Sequence, residues 1–236
     1  MPDATVLSLA ILAFLSGGVA SGAVGMGAAL IAAPLLALID PQIVPYTLPV
    51  ALTWSSLAGW ASERERTDWR RVRWWLTGSV PGWAAGIMLL TALSPRGVAV
   101  LVGAAGLVAA GVIATSVRLP DRRLGLLLSG TAAGAGSATV GMNGPFVAMS
   151  VSGLEPREVR PTLLAYFVPA NIVTVLLWSA AGLLTWPLVA TGLLGGVAAV
   201  SGVMIGARLR GRISRRWFPL VVATLCATAA LRALLG

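Results

Sequence analysis

Ser21-Gly22-Ala23-Val24-Gly25-Met26-Gly27 and Ser137-Ala138-Thr139-Val140-Gly141-Met142-Asn143 are two versions of one motif, set 116 residues apart. Each lies inside a long apolar run, residues 5–39 and 124–153. Neither run fits one straight membrane helix. At 1.5 Å per residue the first would reach about 52 Å, against roughly 30 Å of hydrocarbon in a bilayer. Neither is long enough for two full crossings and a turn. Glycine weakens a helix interior. Gly22, Gly25 and Gly27 interrupt the first run, and Gly134, Gly136, Gly141 and Gly144 the second. Each run is therefore expected to form a hairpin of two short helical pieces that enters and leaves on one side.

Outside these runs the chain holds six apolar stretches of ordinary span length, at 43–62, 73–92, 96–117, 161–182, 185–207 and 215–235. The composition agrees. Of 236 residues, 57% are hydrophobic and 11% charged, with mean hydropathy +0.88. A soluble domain carries about 25% charged residues, so these charges cannot cover a water-facing surface. A soluble enzyme, a disordered chain and a fibrous repeat are excluded. The fold class expected is an all-α polytopic membrane protein. The chain opens Met1-Pro2-Asp3, with an acid where a signal peptide carries positive charge. Residues 5–21 are read as a retained membrane helix.

The sequence contains no histidine and a single cysteine, Cys226. Histidine-ligated zinc or haem, a Ser-His-Asp triad, an internal disulfide and a thiol relay are excluded. No phosphate-binding loop for ATP appears, and no Asp or Glu lies deep in an apolar run, which argues against a carboxylate proton relay. The chain is not expected to be an enzyme or to hold a metal or cofactor.

The offset of 116 also pairs Pro45 with Pro161, Leu48 with Leu164, Gly86 with Gly202 and Met88 with Met204. One duplication would cover the whole chain, as residues 1–118 and 119–236 of one membrane domain. The arginines test its topology. All 17 basic residues are arginine, and 15 crowd four loops at 64–73, 118–123, 157–160 and 208–216. Only Arg96 and Arg232 remain for the other face. The positive-inside rule puts the crowded loops in the cytoplasm. That split requires each long run to return to its starting side. Each half then has a re-entrant pair plus three crossings, so the second half is upside down relative to the first. Both termini are expected outside the cytoplasm, in a cell (inner) membrane. A net charge of +9 and a pI near 11.6 would suggest nucleic acid for a soluble protein. Here the arginines lie between apolar runs and face anionic headgroups, so no nucleic-acid partner is expected. Trp60, Trp69, Trp74, Trp75, Trp178, Trp186 and Trp217 sit near run ends, as interfacial anchors do; Trp54 and Trp83 lie deeper.

Inverted halves are a recurrent construction of secondary transporters, with the substrate held where helices break. Broken backbone in lipid must be buried or line a wet cavity. The candidate tips are Gly25, Met26 and Gly27, and Gly141, Met142, Asn143 and Gly144, followed by Pro145. A new helix after each tip would present unpaired N–H groups with partial positive charge, and glycine lets a ligand approach closely. This makes an anion site without a charged side chain. Ser21, Ser137 and Thr139 flank the tips. Thr53, Ser55 and Ser56 lie about ten residues into the next span, and Tyr166 and Asn171 at similar depth in its partner; Ser55 pairs with Asn171 at the same offset. Neutral donors in a dry pocket suit an oxyanion. The competing reading is that these hydroxyls bond their own helix carbonyls and the glycines only permit close helix packing.

The run from Ser21 through Ala29 to Ala33-Pro34-Leu35-Leu36, with its second copy from Ala135 to Pro145, resembles the sulfite exporter TauE/SafE family of transmembrane anion transporters. The resemblance runs essentially end to end. It implies passage of sulfur-containing oxyanions such as sulfite, of organosulfonates, or of other small anions. The function expected is a secondary transporter working by alternating access. An anion channel of the same shape and a non-transporting membrane assembly subunit are the alternatives. The partners expected are a small anion and the lipid bilayer, and the reading admits a homodimer.

Overall fold

The computed structural model describes residues 4–24, 28–115, 118–209 and 218–235. Among them it is all-helical. The helices are α1 (Ala4–Val24), α2 (Ala28–Ile39), α3 (Val44–Ala61), α4 (Trp69–Ala92), α5 (Pro95–Thr115), α6 (Arg123–Val140), α7 (Gly144–Ala148), α8 (Pro156–Ala180), α9 (Trp186–Arg208) and α10 (Phe218–Leu235). A single 3-10 turn, Arg64–Arg66, follows α3. Segments Ala4–Ala23, Pro156–Ala180 and Trp186–Arg208 are both long and apolar enough to cross a membrane.

Both long apolar runs break near their motifs, but their first arms are not short. At 1.5 Å per residue, α1 with 21 residues reaches about 31 Å and α6 with 18 about 27 Å. Only the return pieces are short, 12 residues in α2 and 5 in α7. The reason is that most interior glycines are packing surfaces and not breaks. On α1, Gly18 lies against the backbone of Ala199 and Gly22 against Val203 and Gly206 of α9. On α6, Gly130 faces Trp75 and Gly134 faces Ser79 of α4, while Gly78 and Gly82 of α4 face Leu127 and Thr131. A Cβ at any of these positions would collide with a backbone carbonyl across the seam. Small residues four apart let membrane helices pack backbone to backbone.

The register of these seams gives helix directions. α1 and α9 run parallel, since Gly18 meets Ala199 and Gly22 meets Gly206. α3 is parallel to them, with Val50 beside Gly192 and Trp54 beside Gly196. α4, α6 and α8 share the opposite direction. The Asp68 N–H donates to Thr162 Oγ1 at 3.0 Å, and Ser79 and Tyr166 share a hydrogen bond of 2.9 Å further along. α3 and α8 are antiparallel, with Tyr46 against Trp178 at one end and Arg160 bonded to Glu63 at the other.

Both hairpins fold back. Ala28 and Ala32 of α2 lie against Gly17 of α1. After α7 the chain rejoins the segment before α6: the Leu119 N–H donates to Met149 O at 2.7 Å, and Ser152 Oγ donates to Leu119 O at 3.1 Å. Arg71, only 1% exposed, fastens this junction. Its guanidinium donates to Asp68, to Asp121 at 2.6 Å, and to the carbonyls of Ser150 and Ser152. The described arginine-rich loops thus gather at one end of the bundle. Arg232 lies at the other, donating to Leu38 O.

Two of the tryptophans expected as interfacial anchors are core residues. Trp75 and Trp178 are fully buried. The Trp75 indole donates to Ser150 Oγ at 2.8 Å and that of Trp178 to Ala138 O at 3.1 Å. A buried indole needs an acceptor inside the protein, and both find one in the second hairpin. Trp54 is half-exposed, and Trp83 is buried.

Candidate functional site

The second break is built by one glycine and one proline. α6 ends at Gly141, whose φ of +71° is the left-handed conformation glycine takes at helix C-termini. Its N–H closes on Ser137 O at 3.1 Å, and the Met142 N–H reaches Gly136 O at 3.0 Å. Gly136 is itself required, because a Cβ there would collide with the Met142 carbonyl and crowd the Phe146 ring. Pro145 then sits in the first turn of α7, where a missing N–H costs nothing. Between them, the amides of Asn143, Gly144 and Phe146 find no hydrogen-bond acceptor among the described residues.

A cavity of about 80 Å³ opens beside this break. That is room for several waters or one small oxyanion. Ser21 from the end of α1 and Ala28, Ala29 and Leu30 from the start of α2 line one side. Asn143, Gly144 and Pro145 line another. Leu52, Ser55 and Ser56 of α3 and Arg160, Leu163, Leu164, Phe167 and Asn171 of α8 complete most of the wall. Residues flanking both breaks therefore border one space. Its described lining holds one cation and no acid.

Polar groups concentrate at the Asn143 side. Asn143 and Asn171 are 7% and 3% exposed, and Asn143 Nδ2 donates to Asn171 Oδ1 at 3.1 Å. Two carboxamides carry four N–H groups. The mutual bond uses one, so three donors remain for a guest whichever way the pair is oriented. Ser55 Oγ donates to Leu52 O at 3.1 Å, in its own helix. Ser21 and Ser56 make no side-chain hydrogen bond with the described residues.

The other expected site residues lie around the cavity rather than in its wall. Thr53 Oγ1 donates to Pro49 O at 2.6 Å and Thr139 Oγ1 to Ala135 O at 2.7 Å, each within its own helix. Ser137 pairs with Thr174 at 2.8 Å. Met142 is fully buried in the apolar core, and Gly141 packs on Leu48 and Pro49 of α3. Tyr166 bonds Ser79 and stacks edge-on with Trp75 and Phe167. Gly25, Met26 and Gly27 lie outside the described residues.

Arg160 counts among the loop arginines in the sequence and is therefore not one of the expected site residues. A usable signal existed. Positions 160, 164, 167 and 171 recur at helical spacing, so Arg160 shares a face with Asn171.

A multi-pass helical bundle whose helices end and restart around a largely apolar cavity, with a polar patch and no acid in its described lining, has the make-up of a membrane transport protein. The chain belongs to the sulfite exporter TauE/SafE family, whose model matches residues 9–233. No curated protein and no solved structure matches it. The family is one of transporters, not of enzymes.

Proposed function

We propose that this chain carries small sulfur-containing oxyanions or organosulfonates across the cell membrane by alternating access. The observation that carries the reading is one cavity bordered by described residues on either side of both helix breaks. Neutral donors and unpaired amides at one side, one guanidinium at the other and no carboxylate in the described wall make it attractive to an anion. The family supplies sulfur chemistry, which the cavity alone does not specify.

The packing supports two inverted halves. The 116-residue offset pairs α1 with α6, α3 with α8 and α4 with α9. The seam between α1 and α9 then corresponds to that between α6 and α4. Both seams are parallel and glycine-lined, and they run in opposite directions. Rocking one half against the other would expose the shared cavity to each face in turn. The gathering of arginine-rich loops at one end supports a cytoplasmic assignment for that end.

Purified protein in liposomes tests the proposal. Preloaded sulfite should drive uptake of radiolabelled sulfite, saturating with concentration, and sulfite should raise the melting temperature in detergent by mass action. Absence of both for sulfite, sulfoacetate and small carboxylates would refute it. Large single-channel currents would replace the carrier with a channel.

A further inference from the structure

We propose that Arg160 is an anion-capturing residue of this cavity, and that Glu63 is its internal competitor, displaced when the anion binds. The inference rests on the transport reading and adds a charged residue to it. Arg71 and Arg160 differ in kind. Arg71 is 2% exposed by side chain and donates to two carboxylates and two carbonyls. That is a structural arginine with its donors used. Arg160 is 24% exposed by side chain, lines the cavity, and has one hydrogen-bond partner among the described residues, Glu63 Oε1. A guanidinium has five N–H donors in a planar fork. Four are left, in a wall without another charge, arranged to grip a tetrahedral or planar oxyanion bidentately.

Glu63 is suited to leave. It lies just past the end of α3, at φ −132° before the 3-10 turn, and its side chain is 35% exposed. Its carboxylate already borders water and gives up one hydrogen bond, that from Arg160, when it turns away. Gly59, one turn earlier on α3, gives the guanidinium space: a Cβ there would stand 3.4 Å from Arg160 Nη2 and closer still to Leu164. Arg160 and Asn171 are 11 residues apart on one helix face, about 16 Å of rise. Arg160 is thus the first station, at the arginine-rich end, and the Asn143–Asn171 pair the second.

Two substitutions separate capture from mere helix bracing. Sulfite counterflow is measured in proteoliposomes of wild type, Arg160→Gln, Arg160→Lys, Glu63→Gln and Asn143→Ala. Losing a charge-assisted hydrogen bond to the anion should raise the half-saturating sulfite concentration of Arg160→Gln about tenfold or more, with Arg160→Lys between. Glu63→Gln removes the competitor and should lower it. A bracing pair would make Arg160→Gln and Glu63→Gln behave alike, and equal effects overturn the proposal. Wild-type transport with Arg160→Gln unchanged and Asn143→Ala impaired sinks this inference alone. No flux and no thermal shift from wild type with sulfite, sulfoacetate or small carboxylates sinks the transport reading and this inference with it.

Discussion

Asn143 does two jobs at one position. It ends the tight link between α6 and α7, and its side chain holds Asn171 across the cavity edge. Its backbone role needs no carboxamide, because no side-chain cap is made to α7. Asn143→Ala should therefore fold and insert like wild type while losing most sulfite counterflow. Asn143→Asp keeps the shape but places a carboxylate where an anion must sit, and it should lose the sulfite-induced rise in melting temperature altogether. Wild-type flux from either variant would remove Asn143 from the site. Arg71 gives the opposite kind of residue. Arg71→Met takes a buried guanidinium from Asp68, Asp121 and two carbonyls, leaving Asp121 only its bond from Arg70. Both carboxylates are partly exposed, so the loss stays below the figure of about 3–5 kcal/mol for a fully buried pair. Loss of the folded protein in detergent, with Arg70→Met near wild type, is the expected outcome.

Glycine placement explains both what was legible in the sequence and what was not. The spans were readable because hydropathy is a sum along the chain, and α3, α4, α5, α8, α9 and α10 fall within a few residues of the apolar stretches. The break near Gly141 was readable because glycine, a polar residue and proline follow one another there. The length of α1 and α6 was not. Gly18, Gly22, Gly130 and Gly134 look like helix breakers in one dimension; only the neighbouring helix turns them into a contact surface. The same limit hid the hydroxyls: Thr53 and Thr139 bond their own helices, whereas Ser21 and Ser56, with similar sequence surroundings, do not. A pair of substitutions separates the two uses of glycine. Gly82→Ala would drive a methyl into the Thr131 carbonyl of α6, whereas a Cβ on Gly111 of α5 meets nothing within 4 Å. Gly82→Ala should lower the melting temperature sharply or abolish recovery. Gly111→Ala should stay within about 1 kcal/mol of wild type, in the direction of a better helix former. Equal behaviour would mean the α4–α6 seam is not packed this closely.

For the molecule as a whole, α3 and α8 carry the test of inversion. They are paired by the 116-residue offset and run antiparallel, so their C-terminal ends lie at opposite ends of the bundle. Ser62 follows one end and Ser179 closes the other, and both are exposed. The only native thiol, Cys226, is fully buried, so a Cys226→Ala background removes it at little cost to packing. Ser62 adjoins the arginine-rich end, which the positive-inside rule assigns to the cytoplasm. A membrane-impermeant maleimide applied to intact cells should therefore label Ser179→Cys and spare Ser62→Cys, and permeabilised cells should label both. The reversed pattern would keep the inverted halves and overturn the orientation. Labelling of both from one side would mean that α3 and α8 do not both cross the bilayer, and a carrier built on two opposed halves could not then operate.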